Sequence, residues 1–64
     1  MKDRLFEVIC QSGYRRLIWG VSPQEALEQM RLHRREKSYN VFEVDLNPHN
    51  QDTFAKSILV LQGA

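Results

Sequence analysis

Cys10, His33 and His49 are the side chains of this 64-residue chain that most readily take part in catalysis or metal binding. A catalytic cysteine needs a base beside it, and a structural zinc site needs about four ligands at characteristic spacings. The sequence has no second cysteine, neither histidine has a further ligand at such a spacing, and its three glycines form no phosphate-binding loop. We therefore expect no enzyme, no cofactor and no metal site, with Cys10 buried as a small hydrophobic residue.

A concentration of basic residues is the stronger functional signal. Residues 15–37 carry six basic and three acidic side chains, a net charge of +3, whereas residues 38–64 carry one basic and three acidic side chains, a net charge of −2. Glu25 and Glu28 come early in the segment 22–37 and four basic residues come late, which complements a helix dipole. Glu28 also stands three residues before Arg31, the spacing of a surface ion pair. A solvated helix end explains part of this pattern, and the surplus of charge predicts a binding partner.

The predicted order of elements brings the basic residues together. A helix that follows a β-hairpin and packs on it returns towards the start of the second strand, where Arg15 and Arg16 lie. Leu32 faces away from the apolar stripe of the helix, among charged neighbours. We predict a partner-binding surface formed by Tyr14, Arg15, Arg16, Arg31, Leu32, Arg34, Arg35 and Tyr39.

This surface suits two kinds of partner. Arginine and tyrosine are enriched where proteins bind other proteins, so an adaptor or regulator that grips an acidic protein surface is the leading interpretation. Basic and aromatic side chains also hold phosphates and stacked bases, so a small RNA- or DNA-binding module is the alternative. The net charge of +1 and the acidic third strand argue against nucleic acid. The identity of the partner stays open, and a homodimer through an open sheet edge or face is a further possibility.

Alternating apolar residues predict a β-hairpin at the start of the chain. In the first strand the core-facing residues are Phe6, Val8 and Cys10. Residues 11–14 form the turn, with Gly13 at the position that needs a positive φ. In the second strand, residues 15–21, the more apolar face consists of Leu17, Trp19 and Val21, so we expect this face to be buried and Arg16 and Ile18 to lie on the other face.

Residues 22–37 contain the clearest helix signal. Ser22 can cap the helix, Pro23 suits its first position, and Glu25 completes a capping box with Ser22. The core stripe consists of Pro23, Ala26, Leu27 and Met30 and runs out near His33.

The last third of the chain predicts a third strand and then an ambiguous segment. Residues 39–46 alternate, with Phe42, Val44 and Leu46 as the expected core face, and residues 47–50 break the chain. Residues 53–62 fit a strand or a capped helix, and we favour the strand. On this assignment Leu5, Ile9, Ile18 and Val41 point away from the helix, where residues 54–61 or a partner would cover them.

The whole chain is consistent with one domain. Its 42% hydrophobic and 27% charged residues are those of a globular domain rather than a disordered segment. We predict a single α+β domain over residues 1–64, a β-hairpin followed by a helix, a third strand and a fourth (ββαβ plus a C-terminal strand), with the one helix packed on one face of the sheet. A lone cysteine, no membrane-spanning apolar run and no signal peptide predict a cytoplasmic protein that does not enter a membrane.

The layout L-F-E-V-I-C, S-P-Q-E-A-L-E-Q-M and V-F-E-V-D-L resembles several unrelated small proteins over roughly residues 5–48. Among them are phage-encoded inhibitors that bind bacterial RNA polymerase and an archaeal ribosomal protein of similar plan. The resemblance implies binding rather than catalysis, and it carries no functional residue over to this chain.

Overall fold

The computed structural model describes residues 3–45 and 56–64. The elements are β1 (Arg4–Cys10), β2 (Arg15–Gly20), α1 (Pro23–His33), β3 (Tyr39–Asp45) and β4 (Lys56–Leu61). The strands form one antiparallel sheet in the order β2-β1-β3-β4, and α1 packs on one of its faces. This confirms the predicted α+β fold and, within the segment 53–62, a strand over Lys56–Leu61; residues 53–55 lie outside the described residues. The predicted turn at 47–50, Leu46 and His49 lie outside the described residues.

The hairpin between β1 and β2 closes through a tight turn with glycine at its last position. The Gly13 amide donates to the Cys10 carbonyl at 2.9 Å, and the Cys10 amide donates to the Tyr14 carbonyl at 2.7 Å. Gly13 has a φ of 98°, which a residue with a side chain rarely adopts. This arrangement is a three-residue hairpin loop, and it confirms the predicted role of Gly13.

β1 lies inside the sheet and supplies the centre of the core. Phe6, Val8 and Cys10 are buried against α1, as predicted. In an antiparallel pair, residues directly opposite each other point to the same face. The partners of these three residues in β2 and β3 must therefore also face the helix.

The predicted core face of β2 is wrong. Ile18 lies opposite Phe6 and is only 9% exposed, whereas Leu17 and Trp19 are 59% and 57% exposed and Val21 is also exposed. The register with β1 turns the less apolar face towards α1, and this face includes Gly20, close to the first helical turn. A Cβ atom added to Gly20 would lie 3.1 Å from the Glu25 carboxylate.

The predicted core face of β3 is also wrong. Tyr39 and Val41 lie opposite Cys10 and Val8 and are buried beneath the helix, whereas Phe42 and Val44 are half-buried on the other face. The register with β1 decides the face, although Phe42 and Val44 look more apolar than their neighbours.

The helix starts as the sequence predicts, with one difference in its cap. The Glu25 amide donates to the Ser22 hydroxyl oxygen at 3.2 Å, and Pro23 occupies the first helical position. The Glu25 carboxylate accepts from the Val21 amide at 3.4 Å rather than from Ser22. Ala26, Leu27 and Met30 are buried, which confirms three of the four residues of the predicted core stripe, whereas Pro23 is half-buried.

The sheet face opposite the helix stays open over the described residues. It carries Leu5 and Ile9 as predicted, but Ile18 and Val41 lie under the helix instead. β4 does not fold over this face, because it pairs with the edge of β3, with a β-bulge near Val41. The open face consists of Leu5, Glu7, Ile9, Arg15, Leu17, Trp19, Asn40, Phe42, Val44, Ser57 and Leu59.

The inverted face of β2 gives the first testable prediction. We expect Ile18→Ala to lower the free energy of unfolding by about 2–3 kcal/mol, because it leaves a cavity under the helix. Leu17→Ala, its matched neighbour, should change stability by less than about 0.5 kcal/mol, because Leu17 is exposed. Urea denaturation of both variants measures the difference. A larger loss for Leu17 than for Ile18 would show that the β2 face is assigned incorrectly.

Candidate functional site

His33, the last residue of α1, joins the helix end to the start of β2. The Tyr14 hydroxyl lies 2.9 Å from His33 Nε2, and Arg16 Nη1 lies 3.3 Å from the same nitrogen. An arginine can only donate, so a hydrogen bond from Arg16 requires Nε2 as its acceptor. The predicted approach of the helix end to Arg16 is confirmed. His33 itself was not among the predicted contact residues, since helix periodicity does not reveal a cross-element contact.

The ring of Tyr14 is already in contact with two side chains of the protein. The Arg34 guanidinium lies over it, 4.6 Å from the centroid, and the His33 ring stacks on it at 5.9 Å with 27° between the planes. Tyr14 therefore fixes the helix end against the hairpin, and its ring surface is largely occupied.

Glu36 connects the segment after the helix to the hairpin turn. Its carboxylate accepts from the Ser12 hydroxyl at 2.6 Å, the Ser12 amide at 2.9 Å and Arg34 Nε at 2.8 Å. The pKa of Glu36 is lowered to about 2, chiefly by the Ser12 hydroxyl and, against the opposing effect of burial, also by the Ser12 amide, Arg34 and the Cys10 thiol. Burial, and then the hydrogen bond to Glu36, raise the pKa of Cys10 above its usual value. Cys10 is a buried free thiol, as predicted.

Tyr39 holds the same segment from inside the core. Its side chain is 3% exposed. Its hydroxyl donates to the Arg34 carbonyl and accepts from the Glu36 amide, both at 2.7 Å. These contacts give Tyr39 a structural role, and it presents almost no surface to a partner. This structural role accounts for the contacts of Tyr39, and its role in partner binding stays a prediction.

The structure separates the predicted basic residues instead of gathering all of them at one edge. Arg15 lies on the open sheet face, where Nη1 is 3.7 Å from the Glu7 carboxylate. Arg34 is held by Glu36 and Tyr14. Arg31 lies 3.4 Å from the Glu28 carboxylate on the surface, which is the predicted pair.

Leu32 stands between two shallow grooves and is 84% exposed. Both grooves include Leu32 in their lining. The first lies on the C-terminal side of the helix and carries Arg31, Arg35 and Lys37. The second lies between α1 and the edge of β2 and carries Arg16, Trp19, Gln29 and His33. We call Arg16, Arg31, Leu32, His33 and Arg35 the helix-end surface.

Trp19, Lys37 and Gln29 are among the groove-lining residues that the sequence does not predict as binding residues. Trp19 was assigned to the core, and its exposure follows from the register of β2, which alternation alone does not specify. Lys37 and Gln29 carry no pattern that separates them from other exposed polar residues. The basic run 31–37 is the sequence feature that could have indicated Lys37 as a binding residue.

Within residues 3–45 and 56–64, no three histidine, cysteine, aspartate or glutamate side chains come close enough to hold a metal ion. In the same part of the chain no helix is long and apolar enough to cross a membrane. Comparison with protein-family models, curated proteins and solved structures finds no match to this chain.

The carboxylate of Glu36 gives a pH prediction. A carboxyl group with a lowered pKa stabilises the fold above its ordinary pKa of 4.5, and this stabilisation is lost as the pH falls towards about 2. We expect the free energy of unfolding to fall between pH 5 and pH 2. Part of the loss should come from Glu43, whose pKa is lowered by its hydrogen bond to Arg4.

Urea denaturation at several pH values tests the contribution of Glu36. Glu36→Gln should be less stable than the wild type at pH 6 and should lose less stability on acidification. Ser12→Ala, which removes one donor, should move the loss towards higher pH. A Glu36→Gln profile parallel to that of the wild type would show that Glu36 does not contribute to the acid dependence.

Proposed function

We propose that this protein is a small non-enzymatic binding module, an adaptor or regulator, that docks through its helix-end surface on an acidic region of another protein. The exposure of Leu32 between two grooves, one of which carries Arg31 and Arg35 and the other Arg16, is the observation that carries the proposal. A single exposed leucine is ordinary on a protein surface. An apolar residue with concave surfaces on both sides and arginines around it has the composition of an interface centre and its rim.

The ion pairs of the basic side chains support the proposal that the helix-end surface binds the partner. Arg34 and Arg15 have acidic partners in their own chain, at 2.8 and 3.7 Å. Among the described residues, Arg16, Arg35 and Lys37 form no ion pair. The two arginines belong to the helix-end surface, and Lys37 lines the groove beside it. These charges are available to meet carboxylates of a partner, where they would favour rapid association.

A nucleic-acid-binding module is the second candidate, because the same arginines could contact phosphates. The two tyrosines of the predicted surface count against it. Single-stranded nucleic acids are usually held by bases stacking on exposed rings. Tyr14 is covered by Arg34 and His33, and Tyr39 is buried. The net charge of +1 supplies little general attraction for a polyanion.

The proposed setting is the cytosol. Its support is the single cysteine, a buried free thiol in a chain that can form no internal disulfide bond.

Affinity capture with the tagged protein from extracts of its native cells, followed by quantitative mass spectrometry, tests the proposal. We expect Leu32→Asp and the double variant Arg31→Glu, Arg35→Glu to lose a defined partner by at least about tenfold, because the first removes the central apolar contact and the second reverses two charges beside it. Both should keep the circular dichroism spectrum of the wild type, because these side chains are exposed. Arg34 is left unchanged because it holds the hairpin.

Leu59→Asp is the matched control, since it introduces the same charge at a leucine on the open sheet face. It should capture the partner as the wild type does. Equal loss with Leu59→Asp would place the interface on the open face, and capture that survives Leu32→Asp and the double reversal would reject the helix-end surface.

Sequencing of RNA from the same eluates, with gel-shift titrations at increasing salt, tests the second candidate. A nucleic-acid module would bind RNA or DNA at low salt and lose affinity steeply as the salt concentration rises. We expect no binding of either kind in purified protein. Binding that disappears in the Arg31→Glu, Arg35→Glu variant would favour the nucleic-acid function instead.

A further inference from the structure

β2 is an edge strand whose outer side has unpaired backbone groups. It pairs with β1 on one side, and within residues 3–45 and 56–64 no strand pairs with its other side. Hydrogen-bonded and non-bonded residue pairs alternate along an antiparallel ladder. The Cys10 amide bonds to the Tyr14 carbonyl, so Val8–Arg16 and Phe6–Ile18 are bonded pairs. The amides and carbonyls of Arg15, Leu17 and Trp19 therefore point outwards from the sheet.

This edge lacks the features that usually prevent strand addition. Natural edge strands are protected by proline, by bulges or by charged residues in mid-strand. β2 pairs with β1 in one unbroken register and contains no proline, and its charges lie only at its start. Its middle, Leu17-Ile18-Trp19, is apolar. The edge is therefore competent to accept another strand.

A groove runs beside this edge. It lies between α1 and β2, has a volume of about 420 Å³ and is lined by residues of both elements. Arg16 and His33 lie together in its lining, and Gln29 and Leu32 form its helical wall. Side chains of an added strand would enter this groove on one side of the sheet and would contact Leu17 and Trp19 on the other.

We propose that the protein binds an extended acidic segment of its partner as an additional strand along β2. The inference rests on the proposed protein-binding function and names the form of the partner. Strand addition of this kind draws its affinity from main-chain hydrogen bonds and its specificity from alternate side chains. Those bonds are the ones that Arg15, Leu17 and Trp19 offer.

The surroundings of β2 define the chemistry of the segment. A residue opposite Arg16 would face the groove, where the Arg16 guanidinium, without an acidic partner among the described residues, favours a carboxylate. Residues opposite Leu17 and Trp19 would point to the open face, where β-branched or aromatic side chains pack across the strand. An alternation of acidic and apolar residues is therefore the expected pattern.

The first experiment uses a defined probe, an eight-residue peptide of alternating glutamate and valine, added to ¹⁵N-labelled protein. We expect amide shifts along β2, and the amides of Leu17 and Trp19 should become protected from hydrogen exchange at saturation. The amides of Arg16 and Ile18 are bonded to β1 already and serve as the internal control. A peptide of alternating lysine and valine should bind at least about tenfold more weakly, because its charge opposes that of Arg16.

Two pairs of variants separate the contributions of the β2 backbone and of its side chains to peptide binding. Leu17→Pro removes an outward amide without breaking a bond to β1, as proline is tolerated on an outer edge, and should weaken peptide binding about tenfold. Leu17→Ala keeps the amide and should stay within about threefold of the wild type. Arg16→Glu should weaken binding about tenfold, whereas Lys37→Glu, the same charge change outside this groove, should have a smaller effect.

The outcomes distinguish this inference from the function on which it rests. Peptide binding that shifts only α1, or leaves Leu17 and Trp19 unprotected, overturns strand addition, as does no binding at millimolar peptide. The capture experiment with Leu32→Asp is unaffected by either result. Should Leu17→Pro fail to fold, the exchange protection of the wild-type amides still decides the inference.

Discussion

The register that β1 imposes on both of its neighbours is the constraint on which the rest of the structure depends. Phe6 and Val8 are fully buried, and each fixes which residues of β2 and β3 face the helix. Ile18 and Val41 are thereby placed under α1, where Met30 and Ala26 close the core. A shift by one residue in either pairing would expose the residues of that neighbouring strand that now face the helix and would bury those on its open face. The core and the open face are therefore determined together.

A second group of contacts determines which basic side chains remain available to bind a partner. The turn at Ser12 and the segment after the helix are joined through Glu36, and Tyr39 holds that segment from the core side. This arrangement needs one arginine, Arg34, as a partner for the Glu36 carboxylate. The basic run that looks uniform in sequence therefore divides into a structural arginine and neighbours that contribute to a surface.

The sequence predicted the order of elements, the hairpin turn and the buried stripe of α1 because each depends on local chemistry. Gly13 meets the need for a positive φ, and Ser22 and Pro23 begin the helix. The faces of β2 and β3 were predicted incorrectly because alternation defines two faces without saying which is buried. Choosing the more apolar face failed where Gly20 admits the first helical turn and where Tyr39 uses its hydroxyl inside the fold.

The candidate site was predictable in part for the same reason. The basic run indicated Arg31 and Arg35, and the helix periodicity indicated Leu32; both are local features. Charge density could not show that Arg15 points to the opposite face, nor that His33 links Tyr14 and Arg16. Those facts follow from strand pairing, which a single sequence specifies only through the packing of the complete fold.

The distribution of apolar surface connects the two proposals. A chain of 64 residues buries a small core, so apolar groups left outside it weigh heavily on solubility. Leu17 and Trp19 lie on the strand that also has free backbone groups, and Leu32 stands across the groove from that strand. A partner strand along β2 would cover backbone and apolar side chains in one step, while the arginines beside it select an acidic segment. One bound segment would pair the free backbone groups of β2, cover the exposed apolar side chains and meet the arginines. The edge of β2 and the helix-end surface are therefore best understood as two sides of a single interface.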